Sequence, residues 1–213
     1  SYMNGLRNPT LYEMFGTDNF GYSGNRYLKP EKNNTYEVYS NILLNKYINL
    51  SVRAFKSNIK NNIEYISNKY QNDSDDVDLN QSGLNNQINV KFKNTNLDFF
   101  TSFLSSKKEN GTSQLRRPTK NYGLNFTRNI ENSFFGNLKL NLKYNHYGKH
   151  FDTHSSTFST IEMDSTDLID LKITKKLNIG NFYIKLTNAL DETYQRPHGY
   201  NHENRIIKFG MSY

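Results

Sequence analysis

The chain ends with Arg205-Ile206-Ile207-Lys208-Phe209-Gly210-Met211-Ser212-Tyr213, and this stretch decides the fold. Between its apolar residues stand Lys208, Gly210 and Ser212, which are polar or small. A period of two is expected of a β-strand with one apolar face. If the alternation recurs upstream with suitable turns, this strand belongs to a barrel whose apolar face touches lipid. The apolar positions are Ile207, Phe209, Met211 and Tyr213.

The composition argues against a conventional soluble core. Only 35% of the 213 residues are hydrophobic, although 14% are aromatic, with 16 Tyr and no Trp. No window holds the roughly 20 apolar residues that a membrane-spanning helix needs, whereas a tilted transmembrane β-strand needs only about 9–11 alternating residues. Because the chain has no cysteine, disulfides and thiolate metal sites are excluded.

The net charge of +7 raises the question of a nucleic-acid partner. A nucleic-acid footprint gathers Lys and Arg on one face, but here these residues are spread over the whole length. We therefore interpret the charge as belonging to solvated loops and a watery lumen, and we expect no nucleic-acid partner.

The alternation recurs along the chain and predicts about nine strands in all. Their connections alternate strictly between short turns and long polar loops, as in outer-membrane barrels, where short turns face the periplasm. The sequence therefore predicts an all-β, antiparallel transmembrane β-barrel, with residues 1–34 as an external loop and 35–213 as its strands. The strands before the last one are centred on 36–44, 48–54, 84–92, 97–103, 122–126, 138–144, 169–173 and 182–186.

We expect the sequence to be part of a longer protein. Bacterial single-chain barrels have even strand numbers, and an open sheet with free edges is costly in hydrocarbon. The odd count, together with a start that has no export signal, predicts further strands upstream.

Three groups of residues resemble the TonB-dependent outer-membrane receptors. Leu6-Arg7-Asn8-Pro9-Thr10-Leu11-Tyr12-Glu13-Met14-Phe15-Gly16, with Leu28-Lys29-Pro30-Glu31 and Tyr36-Glu37, is similar to an external loop and the strand that follows it. Arg116-Arg117-Pro118 resembles the entry to a middle strand. Asn188-Ala189-Leu190-Asp191, Gly199-Tyr200 and Arg205 resemble the family's last loop, so that the landmarks span nearly the whole chain in order.

The resemblance implies the C-terminal half of a barrel of about 22 strands, closed by an N-terminal plug that this sequence lacks. It implies energy-coupled uptake of a ferric siderophore or of cobalamin in the outer membrane of a Gram-negative bacterium. The implied partners are outer-membrane lipid, a TonB-type energy-coupling protein that acts through the missing N-terminal part, and the barrel-assembly machinery, for which the last strand is the expected contact.

Amphipathic and cationic side chains in the predicted external loops are candidates for ligand binding, because such groups commonly line recognition pockets. Loop packing and the interfacial aromatic girdle are the alternative roles. The candidates are Tyr12, Phe15, Phe20, Tyr22, Arg116, Arg117, His198 and Tyr200.

No cofactor is predicted, and two groups of residues are weak candidates for a metal site. The acidic run Asp73, Asp75, Asp76 and Asp78 offers oxygen ligands for calcium, but it lacks the Gly and Glu positions of an EF-hand loop. His146, His150 and His154 repeat every fourth residue, which would align them on a helix, whereas here they follow a strand. A solvated loop is the simpler interpretation of both.

Two other classes of protein remain as alternatives to the transporter. A passive porin, or a barrel for adhesion or phage docking, would have the same strand pattern. An outer-membrane lipase or protease would need a nucleophile with its base, and no such constellation appears, so we expect no enzyme.

Overall fold

The structure is a computed structural model that describes residues 1–66, 68–73, 77–134 and 136–212. The regular structure of the described part is β-strand, apart from one short helix, α1 Leu11–Phe15. No helix in it is long and apolar enough to cross a membrane. The strands are β1 Tyr2–Arg7, β2 Glu31–Asn45, β3 Ile48–Lys60, β4 Ile63–Ile66, β5 Lys69–Asn72, β6 Leu79–Phe92, β7 Thr95–Lys108, β8 Lys120–Ser133, β9 Gly136–Tyr147, β10 His150–Thr153, β11 Thr160–Met163, β12 Thr166–Leu177, β13 Gly180–Thr187 and β14 Ile206–Ser212.

Ten of these strands form one sheet in the order β1-β2-β3-β6-β7-β8-β9-β12-β13-β14. All nine predicted strands are present, and the predicted all-β antiparallel fold is confirmed. The other four strands make two small hairpins, β4–β5 and β10–β11, inside the long connections.

The tenth strand lies inside the segment 1–34, which we expected to be an external loop. β1 pairs with the start of β2, from Tyr2 opposite Tyr36 to Arg7 opposite Glu31. Six residues that include Gly5 and Arg7 carry too little alternation to be recognised as a strand. With β1 the count is even, so the argument from an odd number of strands is not supported.

The alternation of turn lengths is confirmed. Three of the short turns have two residues each, at 46–47, 93–94 and 178–179. In the first, the Asn45 Oδ1 accepts hydrogen bonds from the backbone N–H groups of Tyr47 and Ile48. Directly after the last, Gly180, the first residue of β13, has a φ of 137°, which a residue with a Cβ rarely adopts. Such turns fix the register of the strands that they join.

The chain divides into two compact units, of which the second comprises residues 39–53, 84–103 and 115–213. One face of its sheet is a continuous apolar belt. Leu171 of β12 lies opposite Leu142 of β9 and Leu186 of β13, and Ile184 of β13 lies opposite Phe209 of β14. The intervening positions form a polar face, on which Asp170 lies opposite Lys143 and Lys172 opposite Lys185.

The apolar belt is not covered by protein. Ile173 is 46% exposed and Phe209 66% exposed, and no residue of this second unit is among the fully buried hydrophobic side chains of the described chain. Leu138, Leu140 and Leu142 belong to the same face of one sheet. So large an exposed apolar surface suits acyl chains rather than water.

The first unit comprises residues 1–38, 54–83 and 104–114, and it contains a small core. The buried hydrophobic residues of the described chain are Tyr22, Leu28, Ile63 and Leu79, and all four belong to this unit. They lie in the long connections or at the strand ends beside them. The core therefore fixes loops and leaves the apolar strand faces free.

Candidate functional site

In the first unit, α1 lies in the β1–β2 connection and is held there by a capping box and by ion pairs. Thr10 caps the helix: its hydroxyl accepts from the Glu13 backbone N–H, and the Glu13 carboxylate accepts from the Thr10 N–H at 2.6 Å. Arg7 bridges Glu13 at 3.1 Å and Glu31 at 2.6 Å. Burial raises the pKa of Glu13, but hydrogen bonds from Thr10 and Arg7 outweigh burial, so the pKa lies below its usual value. Glu13 therefore stays ionised and the cap stays closed.

The loop after α1 folds back on the helix. The Asp18 carboxylate accepts hydrogen bonds from the N–H groups of Phe20 and Tyr22. Gly24 packs so closely on α1 that a Cβ there would come within 2.5 Å of the Met14 backbone. The loop is thus a fixed support for the side chains that it exposes.

Four tyrosine rings, those of Tyr12, Tyr22, Tyr65 and Tyr70, pack against one another beside this loop. Tyr22 is 3% exposed, lies 4.9 Å from the Tyr12 ring, and donates its hydroxyl proton to the Tyr12 carbonyl oxygen at 2.6 Å. Tyr70 meets Tyr22 edge-on at 5.8 Å, and Tyr65 lies 5.0 Å from Tyr70. Tyr22 is therefore placed as a packing residue. Tyr65 and Tyr70, which the sequence does not predict as site residues, complete the cluster.

The exposed part of this site consists of Tyr12, Phe15 and Phe20. Their side chains are 54%, 52% and 89% exposed, respectively. The Arg26 guanidinium lies 5.6 Å from the centre of the Phe15 ring. Rings and a cation held on a rigid loop can stack on a flat ligand and attract its negative charge.

In the second unit, a junction around Asp152 joins the long loops. This carboxylate is fully buried and accepts from the Arg116 Nε at 2.7 Å, the His198 backbone N–H at 2.8 Å and the Thr153 N–H at 2.7 Å. Burial raises the pKa of Asp152, but these three hydrogen bonds outweigh burial and lower it below the usual value. The junction therefore ties together the β7–β8, β9–β12 and β13–β14 connections.

The last loop is held by its own motif. The Asn188 side chain donates to the carbonyl oxygens of Glu192 and Glu203 and accepts from the Glu192 N–H. The Asp191 carboxylate accepts from the Arg205 N–H at 2.9 Å, and the Arg205 side chain donates to the Ala189 carbonyl. The residues from Asn188 to Asp191 thus hold the two ends of the β13–β14 loop together by hydrogen bonds.

The predicted binding residues are thus divided between the units. Tyr12, Phe15, Phe20 and Tyr22 belong to the first, and Arg116, Arg117, His198 and Tyr200 to the second. Within the second, Arg116 and His198 meet at Asp152, the His198 ring lies 4.5 Å from His154, and Tyr200 is 68% exposed. A ligand role for these residues stays a prediction.

The calcium candidates already have partners or lie outside the described residues. Asp73 accepts from the Lys108 ammonium at 2.6 Å, and Asp78 accepts from the Asn58 side chain at 2.9 Å. Asp75 and Asp76, like Tyr213 of the last strand, lie outside the described residues. Where the structure describes the chain, no three His, Cys, Asp or Glu side chains are grouped as a metal site. Of the last strand's apolar residues, Ile207, Phe209 and Met211 face Leu186, Ile184 and Phe182.

Comparisons with known proteins show which family model and which solved structures this chain resembles. A family model described as "TonB dependent receptor-like, beta-barrel" matches residues 1–90. No curated protein matches the sequence.

Several solved structures share the fold at low identity. The ferripyoverdine receptor of the outer membrane of Pseudomonas aeruginosa has a TM-score of 0.74 at 14% identity, with 98% of this chain and 29% of the receptor aligned. The siderophore receptor PirA from Acinetobacter baumannii has a TM-score of 0.75 at 14% identity, with 97% and 37% aligned. The ferric yersiniabactin uptake receptor FyuA from Yersinia pestis has a TM-score of 0.69 at 17% identity, with 98% and 32% aligned. The chain therefore spans about a third of the length of these structures.

Proposed function

We propose, on the premise that this chain carries the β-barrel of a TonB-dependent receptor of the Gram-negative outer membrane, that it captures a ferric siderophore in its long loops for energy-coupled uptake. The observation that carries the proposal is the α1 loop, which presents Tyr12, Phe15 and Phe20 to solvent, with Arg26 beside the Phe15 ring. Iron chelates with aromatic or anionic groups suit such a surface.

An iron chelate is favoured over cobalamin, the other ligand that the resemblance implies. Two of the similar structures are a receptor bound to ferripyoverdine and an uptake receptor for ferric yersiniabactin. We propose the same class of ligand here. Energy would come from a TonB-type protein acting on the remainder of the receptor, and β14 would be the contact for the barrel-assembly machinery.

The proposal is tested with the complete receptor in cells that lack other iron-uptake receptors. Labelled ferric siderophores and labelled cobalamin are offered separately, with and without a protonophore that collapses the inner-membrane proton gradient. We expect uptake of an iron chelate that stops when the gradient collapses. Uptake that continues would indicate a passive porin, and phage or bacteriocin adsorption without uptake of either ligand would indicate a docking barrel.

The α1 loop itself is tested by replacing two of its exposed rings. Tyr12→Ala with Phe15→Ala removes two stacking surfaces, each worth about 0.5–1.5 kcal/mol. We expect siderophore binding to weaken about tenfold to a hundredfold in equilibrium titrations of the purified receptor. Tyr27→Ala is the control, because Tyr27 lies in the same connection, is 90% exposed and is outside the proposed surface. If Tyr27→Ala weakened siderophore binding equally, the α1 loop would not be part of the binding site.

A further inference from the structure

The β4–β5 hairpin lies beside the loop after α1, and the two faces of β4 meet different groups. Tyr65 of β4 lies opposite Tyr70 of β5, and both rings contact the ring of Tyr22. Because side chains alternate along a strand, the neighbouring Glu64 points to the other face. There its carboxylate accepts a hydrogen bond from the Lys108 ammonium at 2.8 Å. The hairpin therefore connects the tyrosine rings to the end of β7.

Hydrogen bonds tie this hairpin to the β1–β2 connection. The Asn72 side chain accepts from the Lys29 backbone N–H at 2.7 Å and donates to the Lys29 carbonyl oxygen at 3.0 Å. The Asn25 side chain donates to the Tyr70 carbonyl oxygen at 3.1 Å. The hairpin is thus fixed beside the loop that presents the exposed rings.

Lys108 is the cation at the base of the hairpin. Its side chain is 13% exposed, and its ammonium lies 2.8 Å from Glu64 in β4 and 2.6 Å from Asp73 directly after β5. The Asn62 amide donates to the same two carboxylates, at 3.0 Å and 3.1 Å. Burial lowers the pKa of Lys108, but the hydrogen bonds to Asp73 and Glu64 outweigh burial and hold the pKa above its usual value. One ammonium is therefore shared by two carboxylates that would repel each other without it.

Tyr65 is the more exposed of the two hairpin tyrosines. It is 52% exposed, and its hydroxyl makes a long hydrogen bond, at 3.5 Å, to the Asn68 side chain. Partial burial raises the pKa of Tyr65, as do the Asp18 carboxylate and the neighbouring tyrosines Tyr12 and Tyr70. The phenol is therefore protonated at neutral pH, and it can donate a shorter hydrogen bond to an oxygen of a ligand.

We propose, taking iron-chelate capture as the function, that Tyr65 is a further contact for the chelate and that Lys108 is the residue that positions it. Tyr12 and Tyr65 both pack against the buried Tyr22 ring, so a single ligand can reach both exposed rings. Lys108 acts through the hairpin, because its ammonium holds Glu64 and the residue after β5 together. Without this ammonium the two carboxylates repel each other, and the strand that carries Tyr65 moves.

The test uses the complete purified receptor in detergent, titrated with a ferric tris-catecholate and with a ferric tris-hydroxamate chelate. A stacking ring is worth about threefold to tenfold in affinity, and we expect Tyr65→Ala to weaken binding by about that factor. Lys108→Met should weaken binding by no more than Tyr65→Ala does. Lys108→Arg keeps the charge and has donors for both carboxylates, so it should restore most of the affinity. Lys107→Met is the matched control, because it removes the same charge from the adjacent, exposed position of β7 and should bind as the unaltered receptor does.

Two combinations separate positioning from a loss of stability. Lys108→Met added to Tyr65→Ala should weaken binding no further, because both substitutions act on the same contact. Glu64→Gln added to Lys108→Met removes one of the two repelling charges and should recover part of the lost affinity. Additive weakening in the first combination, or further weakening in the second, would overturn the positioning role of Lys108.

Fluorine NMR tests the positioning role without a ligand. In the complete receptor carrying fluorotyrosine, the signal of Tyr65 is identified by its disappearance in Tyr65→Phe. We expect Lys108→Met to shift this signal, and Lys108→Arg and Lys107→Met to leave it close to its original position. An unmoved signal in Lys108→Met would overturn the positioning role. If Lys108→Met does not fold, the variant that also carries Glu64→Gln takes its place in this comparison.

The outcomes distinguish this inference from the proposed function. If the unaltered receptor binds a chelate and Tyr65→Ala binds it equally well, Tyr65 is not a contact, and the proposed function stands. If the unaltered receptor binds neither chelate, the proposed function and the Tyr65 contact are overturned together, and the fluorine signal still decides whether Lys108 positions the ring.

Discussion

At the scale of single residues, Asp152 connects three of the long loops to one another. Its buried carboxylate is the shared acceptor for Arg116 and for the backbones of Thr153 and His198. Hydrogen bonds to a charged group contribute about 1.5–3 kcal/mol each. In Asp152→Asn one carboxylate oxygen becomes an NH2 donor, so at least one of the three donors loses its acceptor, and the hydrogen bonds that remain lose the negative charge.

We therefore expect Asp152→Asn to loosen the long loops of the second unit without unfolding the sheet. The loss should be about 2–4 kcal/mol of local stability. Limited proteolysis of the complete receptor should then cut within 109–119, 154–159 or 188–205, while heating still shows a folded barrel. Asp164→Asn is the control, because that carboxylate lies in the same connection and its side chain is 93% exposed. If Asp152→Asn resisted the protease as well as Asp164→Asn does, Asp152 would not hold the loops together.

The same residue predicts a pH dependence. Because the pKa of Asp152 is lowered in the folded loops, its stabilisation is fully present above the unfolded value, about 3.9. It is lost as the pH falls through the lower, folded value. Protease resistance should therefore be constant from neutral pH down to about pH 5 and should fall below about pH 4. In Asp152→Asn this acid step should be absent, and a step of the same size in both proteins would assign it to another group.

At the scale of elements, the two faces of each strand need side chains of opposite polarity. Ile173 of β12 lies in the apolar belt opposite Leu140 and Ile184, whereas the adjacent Thr174 lies on the polar face opposite Lys139. A lysine on the lipid face near the middle of the bilayer costs about 2–4 kcal/mol, but one facing the lumen costs little. We expect Ile173→Lys to destabilise the receptor in liposomes by that amount and Thr174→Lys by less than about 1 kcal/mol in urea titrations. Equal costs would show that the belt does not touch lipid.

The elements also show what the sequence could predict. A strand that alternates over ten or more residues, such as β9, is recognisable because each position must face either acyl chains or water. β1 was not predicted because it is short, and α1 was not predicted because five residues are too few to show a helical period. A capping box does mark α1, however, in Thr10 and Glu13. The Asp152 junction could not be predicted, since its partners Arg116 and His198 lie 36 and 46 residues away in the chain.

At the scale of the whole molecule, the small core and the apolar belt lie in different units, and among the described residues no protein covers the belt. The buried hydrophobic side chains of the described residues all serve the long connections of the first unit, and the sheet of the second exposes its apolar belt. In hydrocarbon each unpaired backbone group costs several kcal/mol, so a sheet in lipid must have its outer strands paired. In the described sheet β1 and β14 each have one neighbour.

If the proposed receptor supplies further strands, this arrangement predicts how residues 1–213 behave when they are expressed alone. Because both outer strands would meet lipid with unpaired backbone, we expect aggregates or higher oligomers after refolding into liposomes, and no heat-modifiable monomer at 25.0 kDa. Supplying the remaining barrel strands as a second chain should restore a folded species that resists protease from both sides of the membrane. The control is the complete receptor refolded under the same conditions. A stable monomer from residues 1–213 alone would mean that β1 and β14 can pair with each other, and the sheet would then close without any further strand.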